Sequence, residues 1–340
     1  MKEDTGKNAD RDILRIARQG VFSAGGVVTE PEAGAYDPVL GWTDPVRAGN
    51  TAHVDHANVF YQIPAEDNGH PIVYLHGHGQ SRVCWQFTPD GREGWSDLFL
   101  RKGHAAFLVD QPRRGAAGAT AELPGSPMDV YEGTNRFKAG DQAMYTHFRI
   151  GRVPPERYEG SQFPEGEEAL DQFLREMTPN TGDFKGPVCA AAMGAVMNRV
   201  RAMTGHRAIY MTHSQGGMIG WATPTENVAA LVAIEPGGTP KPGTPRYNAL
   251  LAAKIPIAIY FGDYIDNAPQ DFASIGIWKQ MRDGALAFAR QYNADGGNCA
   301  VFVLPEEGIT GNSHFMFQEL NNAEIADHIE AWLRAQGLAD

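Results

Sequence analysis

The sequence predicts an open, mostly parallel α/β sheet covered by helices on both faces. Three observations predict it. Short apolar runs, several of them continuous and rich in β-branched or aromatic residues, recur between turn residues, as strands buried on both faces do. Helix-compatible segments separate these runs, so the two element types alternate. A length of 340 residues, with 42% hydrophobic and 21% charged residues, allows one large core and excludes wholesale disorder.

The strands are expected at 54–63, 71–76, 105–109, 208–212, 229–234, 257–261 and 300–304. The clearest helix is the last, where Ile325, Ile329, Trp332 and Leu333 form one apolar stripe. Asn321, with Glu324 three residues later, is the expected start of that helix. One stretch breaks the alternation. Residues 113–203 begin rich in Gly and Pro and continue with helical patterns around 167–177 and 188–203. A connection of that length is usually functional, and it is expected to be a cap inserted within a single domain spanning 1–340.

Composition removes several classes of function. Lys plus Arg number 29 against 41 Asp plus Glu, a net charge of -12, with no basic cluster to displace counterions, so nucleic acid is not an expected partner. Cys84, Cys189 and Cys299 are too few for a disulfide framework and lack zinc spacing. No apolar run approaches the ~20 residues that span a bilayer, so no membrane partner is expected. The first twenty residues are polar, and the expected compartment is the cytoplasm, or the periplasm or exterior if a leader has been trimmed.

The sharpest local signal is Thr212-His213-Ser214-Gln215-Gly216-Gly217, which follows an apolar strand and precedes a helix-compatible run. A serine at a strand-to-helix turn with glycine two residues later has the form of a nucleophile elbow, where crowding demands small neighbours. Thr212 stands where glycine is usual. A serine nucleophile also needs an oxyanion hole, an acid and a base, and each has a candidate in the chain order that one such fold requires. The loop His76-Gly77-His78-Gly79 follows a strand, so the backbone N–H of His78, together with that of Gln215, is the expected oxyanion donor. The alternation of His76 and His78 also resembles a metal motif, but no further ligand follows in Gly79-Gln80-Ser81-Arg82, and neither metal nor cofactor is expected. His314 lies after the last strand and is the expected base. Activity should then fall below the ordinary imidazole pKa, since only neutral histidine accepts the proton. For the acid, Glu235 and Asp263 end neighbouring strands, and the residues alone do not separate them.

Taken together, these segments resemble the α/β-hydrolases, and within them a small group of bacterial carboxylesterases. The resemblance runs from about Pro71 to the C-terminus. It rests on His76-Gly77, the run TPDGREGWSDLFLRKG from Thr88 to Gly103, Val109-Asp110-Gln111, His213-Ser214-Gln215, Val232-Ala233-Ile234-Glu235-Pro236-Gly237, Phe261-Gly262-Asp263 and Gly311-Asn312-Ser313-His314. It implies the α/β-hydrolase fold and a Ser214–Glu235–His314 triad with the acid after the sixth strand, leaving Asp263 in reserve. It also implies hydrolysis of a small carboxylic ester through an acyl-enzyme. The chain departs from that group at His78-Gly79, where adjacent cysteines can occur. A lactonase or other acyl hydrolase with the same triad is one alternative, and a non-catalytic binder of small ligands is the other. Arg113 and Arg114, at the carboxyl end of a strand, are candidate ligands for a substrate carboxylate. Trp85, Tyr264 and Phe315, which flank the catalytic loops, are candidate pocket residues.

Overall fold

The computed structural model describes residues 13–121 apart from 42 and 45, 140–266 and 273–339. Eight strands form one sheet: β1 (Ile16–Thr29), β2 (Ala52–Pro64), β3 (Ile72–Leu75), β4 (Ala106–Asp110), β5 (Ala208–His213), β6 (Val228–Ile234), β7 (Ile257–Phe261) and β8 (Cys299–Val303). Their spatial order is β1-β2-β4-β3-β5-β6-β7-β8. β1 and β2 pair antiparallel, as do β2 and β4; the remaining neighbours are parallel. The carboxyl ends of β3, β5, β6, β7 and β8 therefore share one edge of the sheet, where α/β folds bind ligands. The central strands are buried along their whole length, which is why they read as unbroken apolar runs.

All seven expected strands are present, and β1 is additional. It is an edge strand with much of both faces in solvent, and Val21, Val27 and Val28 are each more than half exposed. Gly20, Gly25 and Gly26 interrupt it, so neither a continuous apolar run nor a clean alternation marks it in the sequence.

The described helices are α1 (Trp95–Arg101), α2 (Asp141–His147), α3 (Glu167–Glu176), α4 (Gly186–Thr204), α5 (Gln215–Gly220), α6 (Pro245–Ala253), α7 (Ala273–Ala294) and α8 (Asn322–Ala335). Ile325, Ile329 and Leu333 of α8 are fully buried, as the stripe requires. Asn321 is its N-cap by position, but its side chain pairs with Asn312 instead of capping the helix backbone. The expected cap at 113–203 divides. Residues 122–139 of it lie outside the described residues. The segment around α2 and Met177 reaches the carboxyl edge, where the Thr178 N–H donates to the Gly79 carbonyl at 2.7 Å. α4, by contrast, packs on the sheet against β1, β2 and β5, burying Cys189, Met193, Val196, Met197 and Val200. Its apolar residues mark a helix that covers the sheet, and it is not part of a cap.

Candidate active site

β5 delivers Ser214 into the turn before α5 with φ 52° and ψ -114°, a backbone region that side chains other than glycine rarely occupy. The conformation is held on both sides. The Ser214 N–H donates to the Ile234 carbonyl at 3.0 Å, and its carbonyl accepts from Gly217 N at 2.9 Å and Gly237 N at 3.1 Å. Gly216 is dictated by crowding, since a Cβ there would lie 2.7 Å from the carbonyl oxygens of both Leu75 and His76. The bulk of Thr212 is accommodated across the turn: a Cβ on Gly220 would come 3.1 Å from the Thr212 methyl, so a glycine opposite makes room for it.

Glu235 and His314 meet at the same edge. Glu235 follows β6 with φ 42° and is fully buried. Its Oε2 accepts from His314 Nδ1 at 2.6 Å, and its Oε1 accepts from Gly262 N at 2.7 Å and from Arg149 Nη2 at 2.5 Å. Burial alone would raise the Glu235 carboxyl, but the Arg149 charge and the His314 hydrogen bond outweigh it and hold it below the usual carboxylate range. Burial pushes His314 below the ordinary imidazole value; Glu235 opposes this, and the Arg149 charge adds to it. The pair therefore rests as a carboxylate and a neutral imidazole. With Nδ1 donating to the carboxylate, the lone pair falls on Nε2, a tautomer assigned from the hydrogen bonds. If His314 is the base, the acid side of the activity profile should accordingly lie below the range expected for an ordinary histidine, which a pH profile of kcat/KM checks.

His314 Nε2 is buried and has no hydrogen-bond partner among the described residues. The bond to the serine hydroxyl is thus not made in this arrangement; such bonds are often long without substrate and tighten when it binds. The ring itself is fixed. Phe148 stacks on it at 4.7 Å between centroids, and Trp278 and His213 each approach to 4.3 Å. The His314 N–H donates to the Phe148 carbonyl at 3.1 Å.

Asp263 does not touch the imidazole. Its Oδ1 accepts from Tyr264 N at 2.7 Å and its Oδ2 from Gly311 N at 2.9 Å, so it anchors the loop that carries His314. Glu319 anchors the same loop through Ser313 N, at 2.9 Å to Oε1. Of the two carboxylates left open by the sequence, Glu235 is the one against the His314 ring. At the expected oxyanion loop, His76 is buried, with Nδ1 against the Gly77 carbonyl at 2.9 Å. Among the described residues, no group of three His, Cys, Asp or Glu could hold a metal ion.

Ser214 lines a cavity of about 440 Å³ together with His78, Met144, His147, Phe148, Ile277, Trp278 and Met281. Two of the rings packed on His314, Phe148 and Trp278, thus also form the cavity wall. Apart from the serine and two imidazoles, these named walls are apolar, as in most small-molecule sites. The side chains expected to bind substrate are elsewhere. Arg113 holds Asp55 with both ends of its fork, at 2.8 and 2.9 Å. Arg114 donates to the Gln80 carbonyl at 3.0 Å and to Asn180, bracing the loop that follows β3. Trp85 is fully buried against Tyr74, Trp95 and Phe317. Tyr264 packs on Tyr158 and donates to the Glu159 carbonyl. Phe315 packs edge-on to Phe148, Phe173 and the His314 ring, outside the residues that line the cavity. A position at the carboxyl edge does not by itself mark a ligand contact, since strand ends also carry the residues that brace the loops. The cavity walls come instead from α2, the segment after it and α7, whose apolar residues read in sequence as ordinary core. Arg149, in the same way, carries no motif.

No family model matches the chain. A curated fungal protein (strain ATCC 74256) named "Probable secreted lipase phiG" is 27% identical over 313 residues, covering 78% of this chain and 82% of the relative. Among solved structures, one described as a novel bacterial esterase is 30% identical with a TM-score of 0.79, covering 95% of this chain and 97% of that one. A peroxisomal alpha-beta-hydrolase of Saccharomyces cerevisiae is 11% identical with a TM-score of 0.48, covering 95% and 90% respectively.

Proposed function

The chain belongs to the α/β-hydrolase superfamily as a carboxylic ester hydrolase, and from that premise we propose that Ser214, His314 and Glu235 carry the reaction. His314 Nε2 takes the proton from the Ser214 hydroxyl as its oxygen attacks the ester carbonyl. The backbone N–H groups of His78 and Gln215 hold the oxyanion, each worth about 3 kcal/mol by analogy with other oxyanion holes. His314 returns the proton to the departing alcohol, leaving an acyl group on Ser214. Water, activated by the same imidazole, then releases the acid. Glu235 keeps the ring in the tautomer that leaves Nε2 free and stabilises the imidazolium that forms. One observation carries this reading above the rest: the 2.6 Å contact of Glu235 Oε2 with His314 Nδ1, which leaves Nε2 without a partner among the described residues, on a ring packed against Phe148 and Trp278, two walls of the cavity that Ser214 lines.

The apolar cavity supports esters whose acyl or alcohol part is apolar, and the part of 113–203 around α2 serves as its cap. A relative named as a secreted lipase supports an extracytoplasmic location over the cytoplasmic one. Among the described residues no helix is long and apolar enough to cross a membrane.

Turnover of a panel of p-nitrophenyl esters and aliphatic lactones tests the assignment. Hydrolysis of apolar short-chain esters, exceeding that of charged ones and of lactones, is the expected result. A preference for lactones would move the substrate class, and no turnover of any member would favour the ligand-binding alternative.

A further inference from the structure

We propose that Arg149 is a positioning residue for the acid–base pair, supplied by the inserted segment, which locks Glu235 as an ionised carboxylate with Oε2 turned to His314. The inference rests on the reading of Glu235 and His314 as acid and base.

Arg149 is fully buried and has φ 65°, so a strained backbone places a guanidinium where no solvent reaches it. Three contacts fix the fork. Nη2 donates to Glu235 Oε1 at 2.5 Å, Nε donates to the Asp263 carbonyl at 3.0 Å, and the guanidinium carbon lies 5.1 Å from the centre of the Trp278 ring. The fork thus spans the residues that end β6 and follow β7, and occupies the one oxygen of Glu235 that the imidazole does not use. A carboxylate held on both oxygens cannot rotate away from the ring. The same short segment braces the base: the Phe148 carbonyl accepts from His314 N at 3.1 Å, and the His147 carbonyl accepts from Trp278 Nε1 at 2.7 Å.

Charge points the same way. Among the described residues, the charged or titratable groups facing the His314 ring and its loop are Glu235, Arg149, His147, His213, Asp263 and Glu319. Asp263 and Glu319 are each committed to backbone amides of that loop. His213 and His147 are both pushed by burial below the ordinary imidazole value. Arg149 is therefore the cation that balances Glu235, and it disfavours a second positive charge on His314. The imidazole stays neutral, ready to accept a proton, into more acidic solution than Glu235 alone would allow.

Steady-state pH profiles of kcat and kcat/KM for wild type, Arg149→Met and Arg149→Lys test this. Arg149→Met should lower kcat on the order of 10²-fold through loss of orientation, with KM little changed. Its acid limb should move toward neutrality by about one pH unit or more. Arg149→Lys, which keeps the charge but loses the fork, should keep the wild-type acid limb and still lose kcat. An Arg149→Met profile that superimposes on wild type after scaling for folded protein would overturn the proposal. Should Arg149→Met fail to fold, Arg149→Lys and an NMR titration of His314 in the wild type decide. A Lys variant with full kcat, or a wild-type ring titrating in the ordinary imidazole range, would overturn it equally. Loss of the underlying triad reading would look different, because Ser214→Ala would then retain activity whatever Arg149 does.

Discussion

Ser214→Ala and His314→Ala should each reduce ester turnover by about 10⁴-fold or more, and the double variant should be little worse than either single one. The non-additivity follows from the chemistry. Without the hydroxyl, the imidazole has nothing to deprotonate, and without the imidazole, the hydroxyl stays protonated at neutral pH. The two variants should differ in stability, which separates chemistry from folding. Ser214 is 7% exposed, and its main-chain hydrogen bonds do not use the side chain, so an alanine can keep them. Its thermal midpoint should stay near that of wild type. His314 is enclosed by Phe148, Trp278 and His213, and its removal leaves a void among packed rings, so a lower midpoint is expected there. A loss of under about tenfold in either variant, measured on folded protein, would remove that residue from the mechanism.

Glu235→Gln should be far more damaging than Asp263→Asn. An amide at 235 cannot stabilise the imidazolium, and it can present its NH2 where His314 Nδ1–H needs an acceptor. The wrong tautomer then becomes favourable, and a loss on the order of 10⁴-fold is expected by analogy with other triads. The same substitution leaves Arg149 buried beside a neutral group, at a cost of about 3–5 kcal/mol of stability. Activity must therefore be compared on folded protein. Adding Arg149→Met to Glu235→Gln should recover much of the thermal midpoint and none of the turnover, because it removes the unpaired charge without restoring the acid. Asp263→Asn is expected to lose less than about tenfold, provided the amide oxygen still accepts from Gly311 N or Tyr264 N, since Asp263 acts on the loop and not on the ring. The reverse ranking would make Asp263 the acid and Glu235 a structural partner of Arg149.

How far the sequence could be read follows from the range of the interactions involved. Ser214 was legible because an elbow is local: strand, turn and small neighbours lie within a few residues, and only Thr212 obscured the pattern. Its explanation, Gly220 on the facing helix, needed the packing. Glu235 and Asp263 could not be told apart from their own residues, because both end strands. Their division depends on what lies opposite, namely His314 Nδ1 for one and the amides of Tyr264 and Gly311 for the other. Arg149 was invisible for the same reason, since its partner Glu235 is 86 residues away and comes from another layer of the fold. Arg113 and Arg114 illustrate the converse. Their position suggests ligand binding, but Asp55 engages the Arg113 guanidinium and the loop after β3 that of Arg114. Strand β1 leaves no such signal, because an exposed edge strand carries neither the continuous run of a buried strand nor a regular alternation.

The most direct test of the central claim, that Ser214 is the nucleophile His314 activates, is covalent modification by a fluorophosphonate probe, read by intact-protein and peptide mass spectrometry. The expected result is a single adduct on Ser214 of the wild type, formed far more slowly in His314→Ala and absent from Ser214→Ala. An unmodified wild type, or an adduct that persists in Ser214→Ala, would contradict it.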